Sequence, residues 1–358
     1  MDMMKTFVIE KDGSTHIKEV PKPKINSKQA LVRLIANGMC GTDVKLLHHA
    51  FKGFPKSIYP IMLGHEGVGE IVEIGSDVRG YKVGDRVILP FVDPDEELYP
   101  GMGSGWGAMS EYGYVWDKDA VYAEGETIPD CAFAQTVLDP SLNPVDAIML
   151  VTFREVLSTI RFFGIKPHES IVVFGCGPVG SSFIKFLGLL GVKDIIAVDI
   201  IDEKLEAAKE KGATCILNSQ KCDIVAEIRK AFPQGVDYVL DAVGSPAIVN
   251  QAMPLIADRG KVLCYGVPAS EQINLDFSKA DYNFQVVYQQ MPRKREEGEA
   301  HEQVMEWIKE GRLVIKDFIS DYYKYEDSVQ AYQDLLDRKI AKKGIIVSAY
   351  GEQFCDAF

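Results

Sequence analysis

Residues 169–191, "ESIVVFGCGPVGSSFIKFLGLLG", constrain the fold of this chain more than any other stretch. An apolar run the length of a strand meets a glycine turn, and an apolar run the length of a helix follows without a break. Gly175, Gly177 and Gly180 stand in the arrangement G-x-G-x-x-G, with Pro178 and Val179 between them. Glycines let a backbone approach a pyrophosphate, which then lies on the positive N-terminus of the helix. The pattern is common by itself, but here Asp199 ends the next apolar run, "KDIIAVDI", roughly two dozen residues after the first glycine. Strand, turn, helix and acidic strand end are the context that the motif requires. Asp199 is placed to accept from the ribose hydroxyls of an adenosine and to repel a 2′-phosphate, so NAD is expected over NADP. Lys204, a turn into the next helix, is a candidate ribose contact, with a surface lysine as the equal alternative.

The same alternation continues. "DEKLEAAKEKGA" reads as a helix, and "CILN", "DYVLDAVGS" and "GKVLCYGV" read as further strands. Strands and helices in turn predict βαβ units and a parallel sheet. The first third differs: "QALVRLIANG", "GVGEIVEIG" and "GDRVILPF" are short β-type runs punctuated by Gly and Asp, which predicts a compact β-barrel-like domain. From about residue 145, "PVDAIMLVTFREVLSTIRFFG" has apolar residues at helical spacing. Near the end "HEQVMEWIKEG" and "YEDSVQAYQDLLDRK" read as helices flanking the polar "KDFISDYY", before a last strand, "GIIVSAY". At 358 residues the chain exceeds one ordinary core, so two domains are expected.

With 52 acidic against 39 basic residues the net charge is −13, which argues against nucleic acid or an anionic membrane as partner. No stretch approaches the roughly 20 apolar residues of a membrane span, and "MDMMKTFVIEKDGS" lacks the apolar core of a signal peptide. Seven cysteines, with no CxxC pair, fit a reducing cytoplasm. A cytoplasmic protein with a small-molecule partner is expected.

"GMCGTDVKLLHH" places Cys40 between glycines, and "MLGHEGVGEIVEIG" places His65 and Glu66 about 25 residues later. Thiolate, imidazole and carboxylate are ligand types of zinc, and a catalytic zinc keeps one position open. A lone Cys and a lone His more often have structural explanations; the nucleotide turn in the same chain sharpens the pattern.

Taken together, "CGTD", "GHEGVGEIVEIGSDV", "YKVGDRV", "SEYGYV", "GCGPVGSSFIKFLGLLG", "VDIIDEKLEAAKEKGA" and "DAVGS" give nearly the whole chain an order and spacing that resembles the zinc-dependent medium-chain dehydrogenases, the alcohol, sorbitol and threonine dehydrogenase group. The resemblance implies an α/β protein with a GroES-like β-barrel catalytic domain from residues 1–147 and 293–358. A Rossmann doubly wound parallel-sheet domain, residues 148–292, is inserted between them. It implies zinc in a cleft on Cys40 and His65, Glu66 as a direct or intermittent ligand, and Asp43 orienting His65. Thr42 would take the substrate proton. Val243 of "DAVGS" would be a cofactor contact, Val267 of "CYGVP" would border the nicotinamide, and Lys343 would be a basic contact to the pyrophosphate. The implied reaction is hydride transfer between NAD(H) and a secondary alcohol or ketone, in a homo-oligomer, dimer or tetramer. Arg293 and Arg295 fall near where sorbitol-type relatives hold a polyol, so a sugar or polyol is the first expectation and a simple secondary alcohol the second. A zinc-free quinone or enone reductase of the same fold is the third. Phe51, Phe91, Trp106 and Phe153 are candidates for a pocket lining or for the core.

Three departures from the family pattern matter. The stretch "FVDPDEELYPGMGSGWGAMSEY" has none of the four cysteines of a structural-zinc lobe, so one catalytic zinc and no structural zinc are expected. A further zinc ligand of the family falls at Val151, which cannot coordinate; Glu155 one turn later, Glu66 or water would fill in. Lys45 stands where several relatives keep a relay histidine, leaving His48 or His49 as alternatives.

Overall fold

Strand Ser170–Phe174, the apolar run before the glycine turn, lies at the centre of a six-stranded sheet. The computed structural model describes residues 2–268 and 272–358. They divide into two units, one of residues up to Thr152 with Arg293–Phe358, the other Phe153–Pro292. The division falls inside helix Met149–Phe163.

In the second unit the strand order is Cys215–Asn218, Asp194–Asp199, Ser170–Phe174, Val236–Asp241, Ile256–Cys264 and Gln285–Tyr288. Every neighbouring pair is parallel. Such a sheet is covered on both faces, so its strands are unbroken apolar runs; Val172, Ile196, Val239 and Val262 are all buried. Each such side chain contributes about 1.5–3 kcal/mol by leaving water. Helices Pro178–Leu189, Asp202–Lys211, Ile224–Ala231 and Pro246–Ala252 make the crossovers. Helix Asp202–Lys211 buries only Leu205 and Ala208. It has Asp202 and Glu203 at its start, Lys209 and Lys211 at its end, and a left-handed Gly212 as cap. The order reverses between Ser170–Phe174 and Val236–Asp241, which sets a ligand crevice beyond the carboxyl ends of those two strands. This is the doubly wound sheet expected. The edge strand Gln285–Tyr288 was not foreseen, because four half-exposed residues carry no burial pattern of their own.

The first unit is β-rich. Thr15–Pro21, Met3–Ile9, Ile61–Met62 and Gly103–Ser104 form one sheet. Ile319–Lys324, Lys343–Val347, Gln29–Gly38, Gly67–Ile74 and Arg86–Ile88 form another, with Tyr112–Trp116 also on Gln29–Gly38. Within the polar "KDFISDYY", residues from Ile319 on form a strand that pairs in parallel with Lys343–Val347, after the short turn Ile315–Phe318. Lys343–Val347 in turn pairs antiparallel with Gln29–Gly38, Ile345 opposite Gly38. Among the described residues no helix is long and apolar enough to cross a membrane.

Candidate functional site

Strand Gln29–Gly38 delivers the chain to Cys40, whose extended backbone caps helix Gly41–Leu47. Asp43, in the first turn of that helix, folds back so that its Oδ2 accepts from the Cys40 N–H at 3.0 Å, while the Asp43 N–H donates to the Cys40 carbonyl at 3.1 Å. The exchange ties cysteine and aspartate together, as in a capping box. Strand Gly67–Ile74 pairs with Gln29–Gly38, Gly67 opposite Asn37, and so brings the preceding His65 and Glu66 to the same helix end. The Gly38 N–H donates to the Glu66 carbonyl at 3.0 Å, and the Glu66 N–H donates to Asn37 Oδ1 at 3.2 Å.

His65 Nδ1 lies 3.2 Å from Oδ1 of the fully buried Asp43. Among the described residues neither atom has another aligned hydrogen-bond partner. Burial pushes the His65 pKa down, but the Asp43 carboxylate and the Cys40 sulfur outweigh it and hold the imidazole well above its ordinary value. With Nδ1 turned to a carboxylate, Nε2 is the nitrogen left for a ligand. One donor atom each from Cys40, His65 and Glu66 lie within 4.8 Å of one another. Sulfur, imidazole and carboxylate at that separation, with an aspartate behind the imidazole, fit zinc.

Glu66 is already engaged. Its two oxygens accept from Lys343 Nζ at 2.8 and 2.6 Å, and both side chains are almost wholly buried. Lys343, expected at the pyrophosphate, is paired here with this buried carboxylate. Burial lowers the Lys343 pKa, yet Glu66 and Cys40 reverse that and leave it raised. The carboxylate rests on Gly38, where a Cβ would come within 2.3 Å of Glu66 Oε2. Val151 is a buried aliphatic residue with no donor atom. Glu155 Oε1 accepts from the Tyr265 hydroxyl at 2.6 Å and is not in the donor group.

Thr42 is the second residue of helix Gly41–Leu47 and is partly exposed. His48 is exposed at the C-cap of that helix. His49 meets the Tyr59 ring edge-to-face, centroids 4.4 Å apart, with burial holding it below its ordinary pKa. Of the aromatic candidates, Trp106 lies 5.3 Å from the His65 ring and 6.1 Å from Phe51. Phe54, which the sequence reading did not single out, joins them 5.3 Å from Trp106. Phe91 is buried, its backbone bridging to Tyr114, and Phe153 packs on Phe186 at 5.4 Å. Arg293 is exposed, while Arg295 pairs with Glu299 at 3.3 Å over the Phe133 ring.

In the second unit Gly175 has φ +92°, and a Cβ there would meet Val243 Cγ2 at 2.5 Å. Gly177 caps helix Pro178–Leu189, with Pro178 in the first turn, where a missing N–H costs nothing. Asp199 Oδ2 accepts from the Cys176 N–H at 2.7 Å; Oδ1 accepts from Ile200 and Ile201 at 2.7 and 3.1 Å. The residue picked out for ribose recognition thus also ties the glycine turn to the neighbouring strand. The Cys176 thiol is pushed up to about 12 by burial and by Asp199, so it stays protonated. Lys204 is partly exposed on the next helix, and the Val267 backbone packs on Gly244, where a Cβ would meet the Val267 carbonyl at 2.4 Å.

A methyl group on Gly180 would lie 1.8 Å from the Gly175 carbonyl oxygen. Backbone must move to admit it, so, on the expectation that this turn seats a dinucleotide, Gly180→Ala should weaken NAD binding by about a hundredfold or more, on the order of 3 kcal/mol. Calorimetry with NAD checks this, and an unchanged affinity would separate the turn from the cofactor.

Residues 26–125 match the alcohol dehydrogenase GroES-like domain and residues 178–310 match the zinc-binding dehydrogenase family. The chain is 27% identical to a sorbitol dehydrogenase of Bacillus subtilis over 351 residues, 95% of this chain and 94% of that protein. It is 33% identical to an alcohol dehydrogenase of Geobacillus stearothermophilus over 280 residues, 75% of this chain and 79% of that one. Among solved structures, benzyl alcohol dehydrogenase from Acinetobacter calcoaceticus has the same fold, with TM-score 0.80 at 22% identity, covering 98% of this chain and 100% of the other.

Proposed function

The chain belongs to the zinc-dependent medium-chain dehydrogenases, and from that premise we propose that it transfers a hydride between NAD(H) and a secondary alcohol or ketone. What carries the reading is the convergence of Cys40, His65 and Glu66, with Asp43 behind His65. Cys40 Sγ and His65 Nε2 would hold the metal, with Glu66, paired here with Lys343, as a direct or intermittent ligand. When bound, zinc polarises the alcohol oxygen and NAD accepts the hydride. Thr42 takes the alcohol proton at its hydroxyl oxygen and passes its own proton outward. Gly175, Gly177, Pro178, Val179 and Gly180 form the phosphate turn, with Asp199 at the ribose. Lys204, Val243 and Val267 complete that side of the nucleotide site.

A sugar or polyol is the first substrate class, in keeping with the likeness to a sorbitol dehydrogenase. The aromatic group of Trp106, Phe51 and Phe54 beside His65 favours a second, a simple secondary alcohol with an apolar substituent. A panel of polyols, sugars and secondary alcohols with NAD and with NADP tests all of this. NAD should be preferred by about a hundredfold in kcat/KM, and Asp199→Asn should narrow the gap. Equal use of both cofactors would remove Asp199 from the ribose. Turnover of enones with NADPH, and of no alcohol, would favour the zinc-free reductase.

A further inference from the structure

We propose that Tyr332 is a positioning residue of the metal centre, acting through Asp43 on His65. The inference rests on the reading that Cys40 and His65 hold a metal. Asp43 divides its two oxygens. Oδ1 faces His65 Nδ1 at 3.2 Å, while Oδ2 accepts from the Cys40 N–H at 3.0 Å and from the Tyr332 hydroxyl at 3.2 Å. A carboxylate held by one donor can pivot about its Cα–Cβ and Cβ–Cγ bonds. Two donors on one oxygen, arriving from different elements, leave the other oxygen pointing one way.

Tyr332 is built to be such a donor. It lies on helix Ser328–Leu336, almost 290 residues along the chain from Asp43, and is almost fully buried. Its ring is stacked on Phe7, centroids 5.1 Å apart and planes 18° from parallel, so the hydroxyl has little freedom to turn away. Burial, and then Asp43, raise its pKa well above the ordinary value, so the proton it donates stays in place. A ring kept only for packing would need no hydroxyl, since burying one without a partner is unfavourable. The orientation of a ligating histidine is set by the acceptor at its other nitrogen, and that acceptor by its own donors.

Tyr332→Phe keeps the ring on Phe7 and removes the hydroxyl. In the full chain, zinc affinity measured by chelator competition should fall about 10- to 100-fold. With cobalt(II) in place of zinc, the visible absorption bands should shift in the variant, because the imidazole no longer sits at one angle. The effect should vanish in an Asp43→Ala background, which has no acceptor for the hydroxyl and where Tyr332→Phe should change zinc affinity by less than about twofold. Wild-type affinity in Tyr332→Phe, or an equal loss in both backgrounds, would overturn the proposal. A wild-type chain that binds neither zinc nor cobalt would overturn the metal reading beneath it.

Discussion

Cys40→Ser is expected to fold, to bind NAD, and to lose alcohol turnover by about a thousandfold or more. Polarisation of the alcohol oxygen by a bound metal amounts to several kcal/mol of barrier, and each 1.4 kcal/mol is a factor of ten. The serine hydroxyl is a poor substitute because it stays protonated at neutral pH, whereas the thiolate is the form that binds metal. Removing zinc with a chelator should have the same result. Val151 supplies no donor and Glu66 is held by Lys343, so few permanent ligands remain and the metal should leave readily. Metal analysis should return one zinc per chain, and the melting temperature should change little on stripping, because a catalytic metal is not what folds the unit. Two tightly held zincs, or full activity with none, would refute this account of Cys40.

Lys343→Met is expected to be among the most damaging single changes in the first unit. It leaves Glu66 buried without its cation, a loss of about 3–5 kcal/mol. For a chain of this size that is a fall in melting temperature of about 4–7 °C. Methionine fills a similar volume, so the loss reports charge and not a cavity. The double variant Lys343→Met/Glu66→Gln should recover most of it, since no bare charge then remains. If the double variant is as unstable as the single one, the ion pair is not the reason Lys343 is buried there.

What could be read from the sequence was whatever depends on near neighbours. The glycine turn is legible because strand, turn, helix and Asp199 follow one another within one βαβ unit, each with its own periodicity. Cys40 and Asp43 are legible because one helix end needs both. His65 and Glu66 follow from a strand that pairs with the one before Cys40, and the family resemblance supplied what spacing could not. Tyr332 and Lys343 lie far along the chain from the acidic groups they serve, and nothing local marks either. "AYQDLL" reads as an ordinary amphipathic helix, and "KKGII" as an ordinary strand start. Only the pairing of Lys343–Val347 with Gln29–Gly38 decides where that lysine goes. The aromatic candidates divide for the same reason: Trp106 meets His65 through tertiary packing, while Phe153 sits in a helix against Phe186.

That pairing of late strand with early strand also sets an order of events during synthesis. Phe153–Pro292 is one continuous segment, so it can fold as soon as it has left the ribosome. Tyr112–Trp116 covers Gln29–Arg33 early, but the Ala36–Gly38 end of the same strand lacks its neighbour until residues past 340 arrive. The segment that leads into Cys40 must therefore wait for a strand made much later, although the rest of its own strand is already paired. At about 5–20 residues per second that interval is tens of seconds, long enough for a chaperone to hold the waiting strand.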